Sequence, residues 1–383
     1  MEGANPFRYG GIARHLNFAD REDELRTIKQ SIRSGQNVVV ISPRRYGKTS
    51  LVDRAIGQLR AQGVLIAYLD LFRTPTKAQL ADDLAQAIYD GLVSRIERAA
   101  RRAGAFFAHL PVAPRLTITG DGRPALEFAI LERPRDLDGV IAGLLEMPGR
   151  IAMERERRVA LVLDEFQEIV SIDKHLPGVM RAIFQDQDDV SHVFLGSKRH
   201  LMESLFMGKS EHLYRSAKPL PLGPIPARKF AGFIRRRFTA SGVGILDATV
   251  EQVLSMTGGR PYETQELCSF AWEQAREEGT LATTDVLGRA LDRLIEAESA
   301  RYDVVWDGLS SHQRVLLRAI ALDGKRIYSE TYRRQHRLGS TGSVRTSMNA
   351  LEAKELVEGS GGVREVADVF LAEWIRRSAG GSH

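Results

Sequence analysis

The sequence predicts an α/β fold in which a parallel β-sheet flanked by helices comes first, and a helical segment and a small helix–hairpin tail follow. Three observations favour this fold. Short, apolar, β-branched runs alternate with segments whose apolar residues recur at helical spacing, as in βαβ units. A Gly-Lys-Thr triplet follows the first of these runs, and two acids follow a later one. Beyond residue 226 the β-branched runs stop and helical spacing takes over.

The composition excludes several classes of protein. The chain has 383 residues, 43% of them hydrophobic and 27% charged, which is enough for two or three domains with separate cores. Its single cysteine, Cys268, excludes an intrachain disulfide framework. The N-terminus shows no apolar signal segment, and no run approaches the roughly 20 apolar residues of a membrane span. We therefore expect a soluble cytoplasmic protein with no membrane partner, and its net charge of +5 is compatible with a phosphate-bearing partner.

Residues 1–224 are predicted to form the sheet domain. Residues 20–35 have the pattern of a helix with Asp20 as its N-cap. A segment at 115–130 is predicted to be an inserted hairpin that turns at the Gly-Asp-Gly sequence 120–122. Four apolar runs have the composition of parallel strands that are buried on both faces, and they cover residues 37–41, 64–70, 159–163 and 192–196.

Residues 225–305 are predicted to form a helical lid. Phe230, Phe233 and Phe238 lie on the apolar stripe of one helix, and Pro261 suits the first turn of a later helix. Because no β-branched run interrupts this segment, we expect helices only.

Residues 306–378 are predicted to form a separate small domain. Three helices precede a hairpin, at about 310–322, 330–338, 342–354 and 356–369 respectively. Three helices followed by a hairpin are typical of a winged helix.

The segment SPRRYGKTS, residues 42–50, is the strongest chemical signal. It joins an apolar strand to a helix, and Gly47 permits a tight turn just before Lys48 and Thr49. A P-loop needs this arrangement, because its backbone amides surround the β-phosphate, Lys48 bridges the β- and γ-phosphates, and the Thr49 hydroxyl ligates Mg²⁺. The nucleotide-contacting residues are predicted to be Pro43, Arg44, Arg45, Tyr46, Gly47, Lys48, Thr49 and Ser50.

Ser42 departs from the usual pattern GxxxxGK[ST], which has a glycine at this position. A serine fits only if the backbone avoids a positive φ here, and Pro43 fixes the φ that follows. The alternative to a P-loop is an ordinary basic turn between a strand and a helix.

The second chemical signal is VALVLDEFQEI, residues 159–169. The apolar strand places Asp164 and Glu165 at its carboxyl end, where the ligands of open α/β sheets bind. Asp164 fits the Walker B role of holding Mg²⁺, and Glu165, expected on the opposite side of the strand end, fits a base that polarises the attacking water. The alternative is that both acids only cap the following helix.

A weaker signal, GSKRH at residues 196–200, follows the fourth strand. A cation at this strand end is in a position to sense the γ-phosphate, so Lys198 and Arg199 are both candidates. The alternative is that the pair forms the solvated start of a helix.

Taken in order, a series of strings in this sequence resembles the archaeal-type ATPase family. They are NPFRYGG, FADREDEL, SPRRYGKTSL, LVLDEFQE, FLGSKRH and TGGRPY. This family belongs to the P-loop ATPases with an additional catalytic glutamate, near the STAND and origin-loader AAA+ branches. The resemblance therefore implies a P-loop NTPase sheet of the additional-glutamate type, followed by a helical lid and a winged-helix domain. Many relatives carry a further nuclease-like domain, and no nuclease activity is expected from the present residues.

The resemblance also implies roles for individual residues. Phe18, Arg21 and Glu22 match a box that closes over the adenine. Lys48 and Thr49 match Walker A, while Asp164 and Glu165 match Walker B and the catalytic acid. In the lid, Gly259 and Pro261 match an element that touches the nucleotide, with Arg260 between them as a second sensor.

The predicted winged helix carries concentrated positive charge. From residue 325 to residue 345 there are six Lys or Arg and one acid, which gives +5. The third helix of a winged helix enters a major groove, so DNA contacts are predicted for Arg333, Arg334, Arg337, Ser343, Arg345, Asn349 and Arg364. The alternative is that this domain contacts a protein or its own chain and that the basic face is only solvated.

Two functions are compatible with these patterns. In the first, the protein is an enzyme that binds ATP and Mg²⁺, hydrolyses ATP to ADP and phosphate, and couples nucleotide state to movement of the lid and winged helix on DNA. In the second, it is a STAND-like nucleotide-gated switch that turns over slowly, contacts a protein partner or self-associates, and does not bind DNA. An effect of DNA on hydrolysis distinguishes the two.

Overall fold

The computed structural model of the chain describes residues 4–93, 112–118, 124–130, 136–359 and 362–380. Contacts divide the chain into two compact units: Arg21–Gly223, here called the sheet unit, and Met1–Asp20 with Pro224–His383, here called the helical unit. None of the helices in the described ranges combines the length and apolar character that a bilayer crossing requires.

The sheet unit is built around a five-stranded parallel sheet with the order β2-β5-β6-β1-β7. In chain order its elements are α1 (Glu22–Arg33), β1 (Val38–Ile41), α2 (Lys48–Ala61), β2 (Leu65–Asp70), α3 (Lys77–Ile88), β3 (Val112–Ile118), β4 (Pro124–Ile130), α4 (Leu137–Arg155), β5 (Val159–Asp164), α5 (Ile169–Ile172), α6 (Leu176–Phe184), β6 (Val190–Gly196), α7 (Arg199–Met207) and β7 (Lys218–Pro221). Every residue of β1, β5 and β6 is buried, as the apolar runs at these positions predict. The α/β prediction is therefore confirmed.

Three details of the sheet unit differ from the prediction or extend it. Helix α1 begins at Glu22, and its N-cap is Arg21, so the prediction of Asp20 as the cap is wrong. Asp20 lies one residue before the cap, and its carboxylate is paired with Lys229 at 3.0 Å. Strand β7 escaped prediction because it is short and contains two prolines, which edge strands tolerate. Strands β3 and β4 pair antiparallel, and the turn predicted at 120–122 lies outside the described residues.

The helical unit contains the predicted winged-helix order of three helices and a hairpin. Its elements are α8 (Ala227–Ala240), α9 (Asp247–Thr257), α10 (Pro261–Glu277), α11 (Thr284–Asp307), α12 (Ser311–Leu322), α13 (Glu330–Gln335), α14 (Thr341–Ala353), β8 (Val357–Glu358), β9 (Glu365–Val366) and α15 (Val369–Gly380). Pro261 opens α10, as its sequence position predicts. The hairpin is shorter than predicted, and α15 was not predicted.

One apolar cluster runs through the whole helical unit. It joins Phe230 and Leu291 of the lid helices to Leu316 and Leu351 of the winged helix. The thiol of Cys268 is buried in the same cluster, as expected for a structural cysteine. Lid and winged helix therefore share a core.

Candidate functional site

The turn between β1 and α2 has the left-handed backbone that a tight phosphate loop needs. Arg45 has a φ of 69° and Gly47 a φ of 84°. A left-handed conformation at a non-glycine residue such as Arg45 costs roughly 1–2 kcal/mol, and such strain concentrates at functional sites. Ser42 is not among the residues with a positive φ, so its side chain fits where the usual pattern has glycine.

The start of α2 is suited to an anion. Gly47 is the N-cap, and among the described residues no side chain caps this helix. Its first turn also carries no acid. The first amides and the positive end of the helix dipole therefore favour a phosphate here. Of the other predicted contacts, Tyr46 and Ser50 are buried, while Arg44 and Arg45 are exposed.

Arg21 stabilises the backbone of the β1–α2 turn. Its guanidinium donates to the backbone carbonyls of Tyr46 at 3.3 Å and Gly223 at 2.6 Å, and it pairs with Glu24 at 2.9 Å. The side chain is only 5% exposed. Arg21 therefore supports the shape of the loop in this structure, and its predicted place beside an adenine remains a prediction, as does that of half-buried Phe18 in the helical unit.

The two predicted phosphate-site motifs meet at Lys48. Its ammonium lies 2.9 Å from Glu165 Oε1 and 3.2 Å from Asp164 Oδ1. The Thr49 hydroxyl lies 3.4 Å from Asp164 Oδ2. Because Lys48 and Asp164 are almost completely buried, these charges interact in a medium that screens them less than water does. The structure therefore brings together the residues predicted for phosphate, metal and water.

Glu165 lies on the same side of the strand end as Asp164, so the expectation that it points to the opposite side is wrong. The reason is its left-handed backbone, with a φ of 49°, which breaks the alternation of an extended strand. Glu165 Oε2 accepts hydrogen bonds from the Ser197 hydroxyl at 2.7 Å and from Gln167 Nε2 at 2.5 Å. Burial favours a higher pKa for Glu165, but the Lys48 charge and the hydrogen bonds outweigh it and lower the pKa below its usual value.

Asp164 is also held by groups that sequence reasoning missed. The hydroxyl of Tyr68, on β2, donates to Asp164 Oδ2 at 2.5 Å, and the backbone amide of Glu165 donates to Oδ1 at 2.8 Å. Burial and then the Asp164 charge raise the pKa of Tyr68, so its hydroxyl remains a donor. Their positions could have indicated them, because Tyr68 and Ser197 lie near the carboxyl ends of the two strands that flank β5.

The two candidate sensors after β6 are both engaged elsewhere in this structure. Lys198 forms an ion pair with Glu168 at 2.8 Å, and Arg199 pairs with Glu203 of its own helix at 2.7 Å. A role at the γ-phosphate requires either residue to exchange its acidic partner for a nucleotide. Their sensor roles remain predictions.

The oxygen donors at this site fit magnesium. Thr49 and Asp164 supply a hydroxyl and a carboxylate within 3.4 Å of each other. In the described part of the chain, no group of three or more His, Cys, Asp or Glu forms a separate cluster suited to a metal. Magnesium is commonly held by one or two protein oxygens together with substrate phosphates and waters, which matches this sparse set of donors.

In the helical unit, Arg260 is bound to the winged-helix hairpin. Its guanidinium donates to Glu358 at 2.6 Å, to Glu365 at 3.0 Å and to the Ala367 carbonyl at 3.2 Å. The side chain is 5% exposed. Its contacts within this unit are therefore structural, and the predicted second-sensor role of Arg260, like the nucleotide contact of Pro261, remains a prediction.

The residues predicted to contact DNA fall into two groups. Arg337, Arg345 and Asn349 are exposed, and the last two lie on α14 opposite its buried face. The others are committed to partners: Arg333 donates to the carbonyls of Tyr328 and Gly339, Arg334 pairs with Glu330, Arg364 pairs with Glu352, and Ser343 bonds to the Ser340 cap. Arg337, Arg345 and Asn349 are the better candidates for phosphate contact, because Arg334, although exposed, is offset by the charge of Glu330.

Comparison with known proteins covers most of the chain. Residues 18–267 match the family model of an ATPase domain predominantly from Archaea, and residues 300–377 match a probable winged helix domain. The chain is 22% identical over 348 residues to an uncharacterised WD repeat-containing protein of Synechocystis sp.. That match covers 88% of this chain and 26% of the relative, so the chain spans about a quarter of the length of that curated protein.

Two solved structures have a similar fold. The Walker-type ATPase paby2304 of Pyrococcus abyssi aligns with a TM-score of 0.68 at 17% identity, covering 97% of this chain and 99% of the other. The ORC2 protein of Aeropyrum pernix aligns with a TM-score of 0.57 at 13% identity, covering 99% of both chains. At these identities the likeness shows the fold.

Proposed function

Because the chain belongs to the family of ATPase domains predominantly from Archaea, we propose that it binds ATP with magnesium at the β1–α2 turn and hydrolyses it to ADP and phosphate. One observation carries this proposal. Lys48, at the uncapped start of α2, lies within 3.2 Å of both acids at the end of β5. A cation, two carboxylates and a helix start without a side-chain cap are suited to bind phosphate, hold magnesium and orient the attacking water.

The proposed reaction begins with an exchange of partners at Lys48. When a triphosphate binds, the ammonium would move from the two acids to the β- and γ-phosphate oxygens, and Thr49 and Asp164 would hold the magnesium. The metal supplies charge neutralisation on the phosphate oxygens. Ser197 and Gln167 keep Glu165 in place through Oε2. Departure of Lys48 frees Oε1, and this ionised carboxylate then orients the attacking water and accepts its proton.

The test is nucleotide binding and turnover in the full chain. We expect calorimetry to detect ATP binding that magnesium strengthens, and a phosphate-release assay to detect hydrolysis. Lys48→Ala should lose both, because the phosphate loses its buried cation, while thermal unfolding checks that the variant remains folded. Wild-type protein that gives no binding heat with ATP and magnesium would contradict the proposal.

We further propose that the winged helix contacts DNA and that nucleotide state moves the lid and winged helix. The net charge of +5 over residues 325–345 supports this proposal, as does the exposure of Arg337, Arg345 and Asn349. Duplex DNA should then bind in a salt-dependent manner and change the hydrolysis rate.

A second candidate is a nucleotide-gated switch whose winged helix contacts a protein partner or another copy of the chain. The similarity to a WD repeat-containing protein favours it, because there the matched region is about a quarter of a longer chain. Slow hydrolysis that duplex DNA leaves unchanged at low salt, with no DNA binding, would support the switch and contradict the DNA proposal.

A further inference from the structure

Asp164 is surrounded by four donors. Oδ1 faces the Glu165 amide at 2.8 Å and Lys48 Nζ at 3.2 Å, and Oδ2 faces the Tyr68 hydroxyl at 2.5 Å and the Thr49 hydroxyl at 3.4 Å. An ionised carboxylate has about four lone-pair sites. All of its acceptor capacity is therefore in use in this structure, with two donors on each oxygen.

Under the proposed function, two of these donors leave Asp164 when nucleotide binds, and the other two remain bonded to it. Lys48 and Thr49 belong to the phosphate loop and, under the proposed function, turn toward the triphosphate and the metal. The Glu165 amide directly follows β5 and the Tyr68 hydroxyl belongs to β2, and neither group has a part in nucleotide binding. One fixed donor thus remains on each oxygen, which sets both the rotation and the tilt of the carboxylate.

The sheet explains how Tyr68 reaches this position. Strand β2 pairs with β5 in parallel, so that Asp70 is the partner of Asp164 and Tyr68 is the partner of Val162. Residues two apart on a strand share a face, so Tyr68 lies diagonally next to Asp164, within reach of a long aromatic side chain. Its ring also borders a cavity of about 640 Å³ at this edge of the sheet.

From this geometry we propose that Tyr68 is a positioning residue for Asp164, which its hydroxyl holds in the orientation that receives magnesium. The inference rests on the proposed function of the β1–α2 turn. Groups that orient the ligands of a metal typically contribute 10- to 100-fold to metal affinity. The backbone amide cannot replace Tyr68, because it acts on the other oxygen.

The test compares Tyr68→Phe with wild-type protein in calorimetric titrations of a non-hydrolysable ATP analogue at increasing magnesium concentration. Phenylalanine keeps the ring and so does not enlarge the cavity. In EDTA both proteins should bind the analogue equally. With magnesium, the variant should need about 10- to 100-fold more metal for the same gain in affinity. Tyr214→Phe, which removes a hydroxyl from a tyrosine beneath Arg215, should behave as wild type.

A second variant separates a direct effect on Asp164 from damage to packing. In an Asp164→Asn background, Tyr68→Phe should cause no further loss of magnesium response; an equal further loss would show that Tyr68 acts through packing and overturn the inference. An unchanged magnesium titration for Tyr68→Phe would overturn it as well, with the proposed function intact. Wild-type protein whose nucleotide affinity does not respond to magnesium would contradict both the inference about Tyr68 and the proposed function.

Discussion

The phosphate loop and the winged helix both present cations, but they do so in opposite ways. At the loop, Lys48 is buried and already paired with two carboxylates that come from a strand more than 100 residues away. On the winged helix, Arg337 and Arg345 are exposed. The first region is a buried cluster of paired charges, whereas the second is an exposed surface with an excess of positive charge.

Because of this difference, we expect salt to affect ATP binding and DNA binding to different extents. A buried ion pair is screened little by dissolved ions. Contacts between exposed arginines and DNA phosphates weaken steeply as the salt concentration rises, because counterion release is then less favourable. ATP binding at Lys48 should therefore tolerate salt that removes DNA from the winged helix.

The largest effect is expected from Glu165→Gln. Glutamine keeps the size of the side chain and an acceptor for Ser197 but cannot take a proton from water, so turnover should fall by about 10²- to 10⁴-fold. ATP binding should be equal or tighter, because the triphosphate no longer competes with a carboxylate for Lys48. Phosphate release and calorimetry measure the two quantities separately.

The matched control is Glu146→Gln, which removes an exposed acid paired with Arg150 in the same unit and should leave turnover unchanged. Parallel loss of binding and turnover in Glu165→Gln would contradict the assignment of Glu165 as the base.

The next effect in size concerns stability in the helical unit. Arg260→Met removes the cation between Glu358 and Glu365, leaving Glu358, which is only 20% exposed, without this partner. Breaking a buried pair costs about 3–5 kcal/mol, and we expect about 2–3 kcal/mol here because Glu365 is well exposed. Chemical unfolding measures the loss, and hydrogen exchange should rise first at the β8–β9 hairpin.

Arg293→Met, which breaks an exposed pair with Glu277, is the control and should change the free energy of unfolding by less than about 1 kcal/mol. If Arg260 is also a second sensor, its substitution should weaken ATP binding or slow turnover. Unchanged stability for Arg260→Met would mean that the hairpin contact contributes little.

The phosphate loop and the winged helix also differ in how much of their structure the sequence could predict. Strand ends and the Gly-Lys-Thr turn were predictable because burial and backbone geometry restrict composition there. The side on which Glu165 lies was not, since a left-handed residue ends the strand's alternation. The partners of Arg260 were not predictable either, because they lie about 100 residues further along the chain. Those of Arg333 are backbone carbonyl groups, which every residue carries and which composition therefore does not reveal.

The smallest effect is expected from replacing Arg337 and Arg345 together by alanine. Each phosphate contact contributes about 0.9 to the slope of log affinity against log salt, so the slope for duplex DNA should fall by about 2. Fluorescence anisotropy at several salt concentrations measures it, and ATP binding at the phosphate loop, which belongs to the other unit, should not change.

Arg334→Ala sharpens this prediction, because Glu330 lies 2.5 Å from that guanidinium and already offsets its charge. Its effect on the slope should be smaller than that of Arg337 or Arg345. Arg333→Ala should instead lower the free energy of unfolding, because this side chain donates hydrogen bonds to the carbonyls of Tyr328 and Gly339. If the double variant keeps the wild-type slope while Arg334→Ala reduces it, pairing with an acid is the wrong guide to phosphate contact on this surface and DNA meets a different face of the winged helix.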